Sequence, residues 1–300
     1  MAGAWAMRLR LGTRGSALAL AQSRWLANKL AACRHEVEIV RIVTEGDMRA
    51  VDTTPGEGMF VAAIADALTS GEIDIAVHSA KDVPLEEAPG LVIAAYPDRA
   101  DPRDALVTRS GNHSLATLAA GSTVGTDSRR RAGFLRAARG DLRVGPLHGN
   151  VDTRLSRLDE GEVDALVIAA AGLDRLGLAG RIDVRLEPEL VPPAPAQGAL
   201  AVQARARDVA LVKAIAVLDR PDTRLEVEAE RRVLSAVGGS CCAPVGALAR
   251  VAGDRFRMVV GGVNGDGSDF KVDTIEGSTS EMAELAEAAG RNLARDVALR

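Results

Sequence analysis

Aromatic side chains are nearly absent from this sequence, at 2% of 300 residues, which leaves few platforms on which nucleobases could stack. Lysine is scarce as well: only Lys29, Lys81, Lys213 and Lys271 occur. The formal charge is -4 and the pI is near 5.7, which argues against a nucleic-acid partner. The three cysteines, Cys33, Cys241 and Cys242, are too few for a disulfide framework and point to a reducing compartment. No run of 18 apolar residues occurs, and the first ten residues hold no signal-like apolar segment. A soluble, cytoplasmic protein is therefore expected, with no membrane partner. The four histidines, His35, His78, His113 and His148, are scattered, so no metal site is expected. No Walker P-loop, Rossmann fingerprint or Gly-x-Ser-x-Gly elbow is present.

What remains is apolar residues and arginine. An apolar fraction of 47% suffices for a folded protein, and the length suggests two or three domains. Positive charge is almost all arginine, and eight arginines fall between Arg129 and Arg157. Guanidinium groups hold carboxylates and phosphates through paired hydrogen bonds.

The most informative stretch is residues 73–84. Residues 73–77 form a short β-branched run that reads as a parallel core strand. It ends at His78-Ser79-Ala80-Lys81-Asp82, and ligands in open α/β sheets gather at such strand ends. A solvated ion pair between Lys81 and Asp82 is the plain alternative.

A first strand at residues 8–12 breaks at Thr13-Arg14-Gly15, after which Ser16 can cap a helix running to about residue 32. Arg14 would then lie beside the positive end of that helix, a natural place for an anion. Residues 37–43 read as a strand, 44–58 as a loop, 59–70 as a helix and 91–95 as another strand. The charged run 97–104 reads as a hinge.

Strands at 105–108, 122–125, 142–147 and 163–169, separated by helical segments, make a second α/β unit. After Gly125, any of Thr126, Asp127 or Ser128 can cap a helix whose first turn carries Arg129, Arg130 and Arg131. Cations there oppose the helix dipole, which implies an anion nearby. A second glycine turn, His148-Gly149-Asn150, leads into a helix bearing Arg154. The proline-rich stretch 190–198 reads as a stiff crossover, with a strand possible at 199–204. Beyond Gly238-Gly239 come three alternating segments and a closing helix, a small α+β domain of about eighty residues.

The expected division is 1–98 with 190–218, then 99–189, then 219–300. The residues alone describe a cleft between two α/β domains, rich in arginine, with one acid; the thiol of the 238–244 loop either joins them or is incidental. Such a cleft suits a small molecule bearing several carboxylates. A non-catalytic binding protein for an anionic small molecule fits the same description.

The motifs His78-Ser79-Ala80-Lys81-Asp82-Val83-Pro84, Gly125-Thr126 with Ser128, Arg130 and Arg131, and Gly149-Asn150-Val151 with Arg154 occur in that order. Ala170-Ala171-Gly172-Leu173 with Arg175, Pro195-Ala196-Gln197-Gly198 and the Cys241 loop follow. Together they resemble the porphobilinogen deaminases, or hydroxymethylbilane synthases, along nearly the whole chain. The resemblance implies two α/β domains similar to periplasmic binding proteins plus a small C-terminal α+β domain. It also implies a transferase of tetrapyrrole (heme) biosynthesis that condenses four porphobilinogens head to tail and then releases hydroxymethylbilane by hydrolysis. A dipyrromethane cofactor would be joined to Cys241, which lies three residues before Pro244.

By the same resemblance Asp82 is the catalytic acid. Ser79, Lys81, Thr126, Ser128, Arg130, Arg131 and Asn150 would contact the cofactor, and Arg14, Ser16, His148, Arg154, Arg175 and Gln197 the substrate. A monomer is implied. His148 stands where the family usually carries arginine, and Glu57 where lysine is common.

Overall fold

The computed structural model describes residues 6–43, 59–86, 88–111, 113–239 and 243–299. The loop expected at 44–58, including Glu57, and the thiols Cys241 and Cys242 lie outside the described residues. The first stretch contains β1 (Arg8–Thr13), α1 (Ala17–Ala32), β2 (Glu36–Arg41), α2 (Met59–Ser70), β3 (Ile75–Ser79) and β4 (Leu91–Ala95). Next come β5 (Asp104–Thr108), β6 (Thr123–Gly125), α3 (Arg129–Ala138), β7 (Arg143–Gly145), α4 (Val151–Asp159), β8 (Ala165–Ala169), α5 (Ala170–Arg175) and β9 (Val184–Arg185). Then follow β10 (Leu200–Arg205), α6 (Val209–Ile215), α7 (Pro221–Ala236), β11 (Val245–Ala252), β12 (Arg255–Val263), β13 (Phe270–Ser278) and α8 (Met282–Asp296). The described residues form two compact units, 6–99 with 199–224 and 100–198 with 225–299.

In the first unit the strand order is β2-β1-β3-β10-β4. β1 runs parallel to β2 and β3, whereas β10 is antiparallel to β3 and β4. The strand expected to be wholly parallel therefore has a parallel neighbour on one side only. Its first four residues are buried all the same, as are all six of β10, because helices cover the sheet. Leu26 and Leu30 of α1 and Ile215 of α6 pack on one side, against Leu11, Val77 and Val202. Ile64 and Leu68 of α2 pack with Ile73 and Ala76. Each fully buried leucine contributes about 1.5–3 kcal/mol of transfer free energy. Ser16 caps α1, its hydroxyl accepting from Ala19 N at 3.3 Å.

The second unit holds a sheet of order β7-β6-β8-β5-β9. β6 is parallel to β7 and β8, and β5 is antiparallel to β8 and β9. Position for position this matches the first sheet. The chain also enters the central strand alike in both: Gly71-Glu72-Ile73-Asp74 precedes β3, and Gly161-Glu162-Val163-Asp164 precedes β8. Asp74 accepts from Arg10 N at 2.9 Å and Asp164 from Thr123 N at 2.7 Å, so each carboxylate fastens the neighbouring parallel strand.

The same unit includes the antiparallel sheet β11-β12-β13, whose Ala247, Met258 and Val260 pack with Val233 of α7 and Leu293 of α8. The proline-rich segment sits against it. Ala247 N donates to Pro193 O at 2.9 Å, and a Cβ on Gly246 would collide with Pro192. Glu230 of α7, wholly buried, accepts from Ala196 N at 2.6 Å and Ala249 N at 2.8 Å. Among the described residues no helix is long and apolar enough to cross a membrane.

Candidate functional site

In the first unit the parallel strands β1 and β3 end side by side. Beyond β3 the chain makes a 3-10 turn over Ala80–Asp82. Ala80 and Val83 are buried and fix the turn, Ala80 N donating to Ala199 O at 3.0 Å. That leaves Lys81 half-buried and Asp82 exposed. Ser79 accepts from Gln22 Nε2 of α1 at 2.9 Å. Arg14 and Ser16, half-buried, follow the end of the adjacent β1. Ser79, Lys81, Asp82, Arg14 and Ser16 thus share one edge of one sheet. His78 does not join them: its side chain is 6% exposed and faces Gln203 Oε1 at 3.2 Å. Burial lowers its pKa to about 4 against the opposing bond to Gln203, so it is a neutral core histidine.

In the second unit β6, β7 and β8 also end side by side. Ser128 is the residue that caps α3, accepting from Arg131 N at 3.3 Å. Thr126 is buried, its N–H on Gly145 O at 2.9 Å and its hydroxyl accepting from Ser128 N at 3.3 Å. The anion implied by arginines at this helix start is a residue of the chain itself. Asp104, wholly buried at the head of β5, takes Arg130 Nη1 on Oδ2 at 2.8 Å and Arg131 Nε on Oδ1 at 2.9 Å. Gln197, also wholly buried, donates to Asp104 Oδ1 at 2.7 Å and accepts from Arg131 Nη2 at 3.1 Å. Burial would raise the Asp104 pKa, yet the two guanidinium groups hold it well below the usual carboxylate range. Arg129, by contrast, is exposed.

Gln197 reaches this cluster through a constrained turn. Ala196 has φ 64° and Gly198 φ 86°, and a Cβ on Gly198 would lie 2.5 Å from Ala100 O, so only glycine fits there. The carbonyl of Gly198 accepts from Arg175 Nη2 at 2.6 Å. Burial lowers the Arg175 pKa to about 10, with Asp174 opposing.

The glycine turn after β7 carries His148 and Asn150. Gly149 has φ 117°, and a Cβ there would meet the Thr153 side chain at 2.8 Å. Asn150 occupies the N-cap position of α4 without bonding its amides, and its side chain is exposed. Asp127 accepts from Leu147 N at 3.1 Å and from Arg154 Nη2 at 2.6 Å. His148 Nδ1 lies 2.8 Å from Asp127 Oδ1 but makes no hydrogen bond.

Residues 9–213 match the family description "Porphobilinogen deaminase, dipyromethane cofactor binding domain", and residues 224–298 match "Porphobilinogen deaminase, C-terminal domain". The chain belongs to the porphobilinogen deaminase family. It is 46% identical over 296 residues to the porphobilinogen deaminase of Acidothermus cellulolyticus, covering 96% of this chain and 88% of that protein. It is 44% identical over 302 residues to that of Roseiflexus castenholzii, covering 95% of this chain and 98% of that protein. Among solved structures it is similar to the Bordetella pertussis BvgS periplasmic VFT2 domain, with 17% identity, 70% of this chain and 85% of that one covered, and a TM-score of 0.42.

Membership assigns a dipyrromethane-binding domain to residues 9–213, and the donors there fit such a polycarboxylate. Arg130 and Arg131 carry two positive charges against the single negative charge of Asp104, all three at most 5% exposed. A buried surplus of one positive charge is costly in isolation and favours an anion beside it. Asp104 and Asp127 are members of the site that sequence reading did not single out. Asp104 ends the charged run 97–104, where its signal is an acid opening an otherwise apolar strand. Asp127 reads in sequence as one of three possible helix caps, the position that Ser128 fills.

Proposed function

We propose that the protein joins four porphobilinogen molecules head to tail, releasing ammonia at each addition, on a dipyrromethane primer held through Cys241, and then frees hydroxymethylbilane by hydrolysis. The observation that carries this reading is family membership along both matched segments, 9–213 and 224–298. Each pyrrole of the substrate bears an acetate and a propionate, which explains why so many arginines follow strand ends.

When bound, the dipyrromethane supplies the pyrrole end on which the chain grows. Asp82, exposed in its 3-10 turn, stabilises the positive charge left as ammonia departs and assists proton transfer at pyrrole N–H groups. Ser79 and Lys81 bind cofactor carboxylates from the same sheet edge. Thr126, Ser128, Arg130, Arg131 and Asn150 serve that purpose in the second unit, where the surplus charge around Asp104 favours it. Arg14, Ser16, His148, Arg154 and Arg175 hold substrate carboxylates; Gln197, taken with them by the resemblance, acts through the cluster it braces, its amide donating to Pro102 O and Asp104 Oδ1 at 2.7 Å each. On this reading the domains run 1–98 with 190–218, 99–189 and 219–300, and the protein works as a cytoplasmic monomer.

Intact mass spectrometry tests the attachment. Protein from a host that makes porphobilinogen should exceed its sequence mass by a dipyrromethane adduct, lost in Cys241→Ser and kept in Cys242→Ser. An unmodified wild-type chain would overturn this reading in favour of a non-catalytic binding protein.

A further inference from the structure

We propose that Asp127 is a positioning residue that sets one carboxylate-binding arm of the site by aiming Arg154 and His148 from a single side chain. The inference rests on the function proposed above and adds to it a residue with no assigned role. Asp127 lies between β6 and α3, and Ser128 is the residue that caps the helix. Its two oxygens serve the glycine turn after β7 and the helix α4. Oδ1 receives Leu147 N at 3.1 Å and faces His148 Nδ1 at 2.8 Å, while Oδ2 receives Arg154 Nη2 at 2.6 Å. Arg157 holds the same turn from the other side, its Nη1 donating to His148 O at 3.2 Å.

How Arg154 is gripped decides what the pair is for. Arg10 on Asp74, Arg103 on Asp101, Arg181 on Asp159 and Arg185 on Asp174 are each held by their carboxylate through two nitrogens. Arg154 is held end-on through Nη2 alone, and its Nε is buried without a hydrogen-bond partner. A guanidinium has five N–H donors in a planar fork. One pinned corner anchors the fork and leaves further donors for a second carboxylate. Burial lowers the Arg154 pKa and nearby Arg131 lowers it further, while Asp127 opposes both. A carboxylate that merely competed with substrate would take the fork on two nitrogens and have to be displaced; one that grips a single corner can stay in place.

Those two roles predict opposite signs. Asp127→Asn keeps an oxygen acceptor for Leu147 N–H but removes the charge that holds Arg154 and His148. In steady-state assays KM for porphobilinogen should rise by about tenfold, the scale of one lost charge-assisted hydrogen bond, with kcat within about threefold of wild type. Asp127→Glu, which keeps the charge on a longer arm, should recover part of the loss and still show KM raised by about threefold. In an Arg154→Gln background, Asp127→Asn should add less than about twofold, because partners in one network do not act additively.

A KM that falls or stays unchanged in Asp127→Asn would overturn the inference, as would the full tenfold effect in the Arg154→Gln background. If Asp127→Asn does not fold, an unchanged KM in Asp127→Glu overturns it equally. A wild-type protein that consumes no porphobilinogen would overturn the functional reading, and this inference with it.

Discussion

The two five-stranded sheets have the same strand order and the same Gly-Glu-(Ile/Val)-Asp entry to the central strand, yet they place their acids in opposite environments. In the first sheet, β10 opens opposite Ser79 with Leu200, and the acid comes three residues later in the exposed turn at Asp82. In the second, β5 opens opposite Ala169 with Asp104, wholly buried, and the residues after β8 are Ala170, Ala171 and Gly172. One scaffold therefore displays a carboxylate to solvent and encloses the other between two arginines. Burial decides the difference in role. A solvated carboxylate can meet a transient cation, whereas an enclosed one is committed to permanent partners.

The largest expected effect tests the displayed acid. Asp82→Asn should lower kcat by about a hundredfold or more, the usual scale for a positioned acid–base or charge-stabilising group. Cofactor mass and folding should be retained, because Asp82 is exposed and fixes no neighbour that the turn needs. Near-normal turnover would show that the first sheet edge is not where the chemistry occurs.

Next comes the enclosed acid. Asp104→Asn leaves Arg130 and Arg131 buried around a neutral amide and should cost about 3–5 kcal/mol in denaturant unfolding. Because the folded-state pKa of Asp104 lies below its unfolded value, its contribution is complete above the unfolded carboxylate range near pH 4 and is lost only as pH falls through the folded value. The gap between wild type and variant should thus be constant from pH 5 to 8. A gap below about 1 kcal/mol would mean that the cluster is an open ligand site and not a structural one.

Much of this contrast was legible in sequence and part of it was not. The strands β3 and β8 declare themselves by short β-branched and aliphatic runs, and Lys81-Asp82 stands out because it interrupts one. The antiparallel course of β10 was hidden, since buried strands read alike whichever way they run. The arginines at the start of α3 announced an anion, but only the fold identifies Asp104, 26 residues earlier than Arg130, as one that they hold. Arg154 was readable as an anion ligand from its place after a glycine turn, yet its end-on bond to Asp127 depends on where β6 and β7 pair. The repeated Gly-Glu-(Ile/Val)-Asp is visible in the sequence, but four residues carry little weight until both copies prove to fasten the same strand pair.

The smallest effect exchanges one position between the sheets. His78 in β3 corresponds to Ile168 in β8, each the fourth residue of its strand and each buried. His78 stays neutral in the folded state down to about pH 4 because burial penalises its charged form, while an unfolded histidine takes up its proton near pH 6.5. The unfolded state then binds more protons throughout that window, so wild-type stability should fall with falling pH by up to about 3 kcal/mol between 6.5 and 4. His78→Ile removes this penalty but deprives Gln203, 2% exposed, of its ring partner, a loss of about 1–2 kcal/mol at neutral pH. Urea unfolding should therefore show the variant less stable than wild type at pH 7.5 and more stable near pH 4.5. Parallel pH profiles for the two proteins would mean that His78 takes up its proton as readily in the fold as when unfolded, and that the interior of the first sheet tolerates a charge that the second sheet admits only as part of an ion pair.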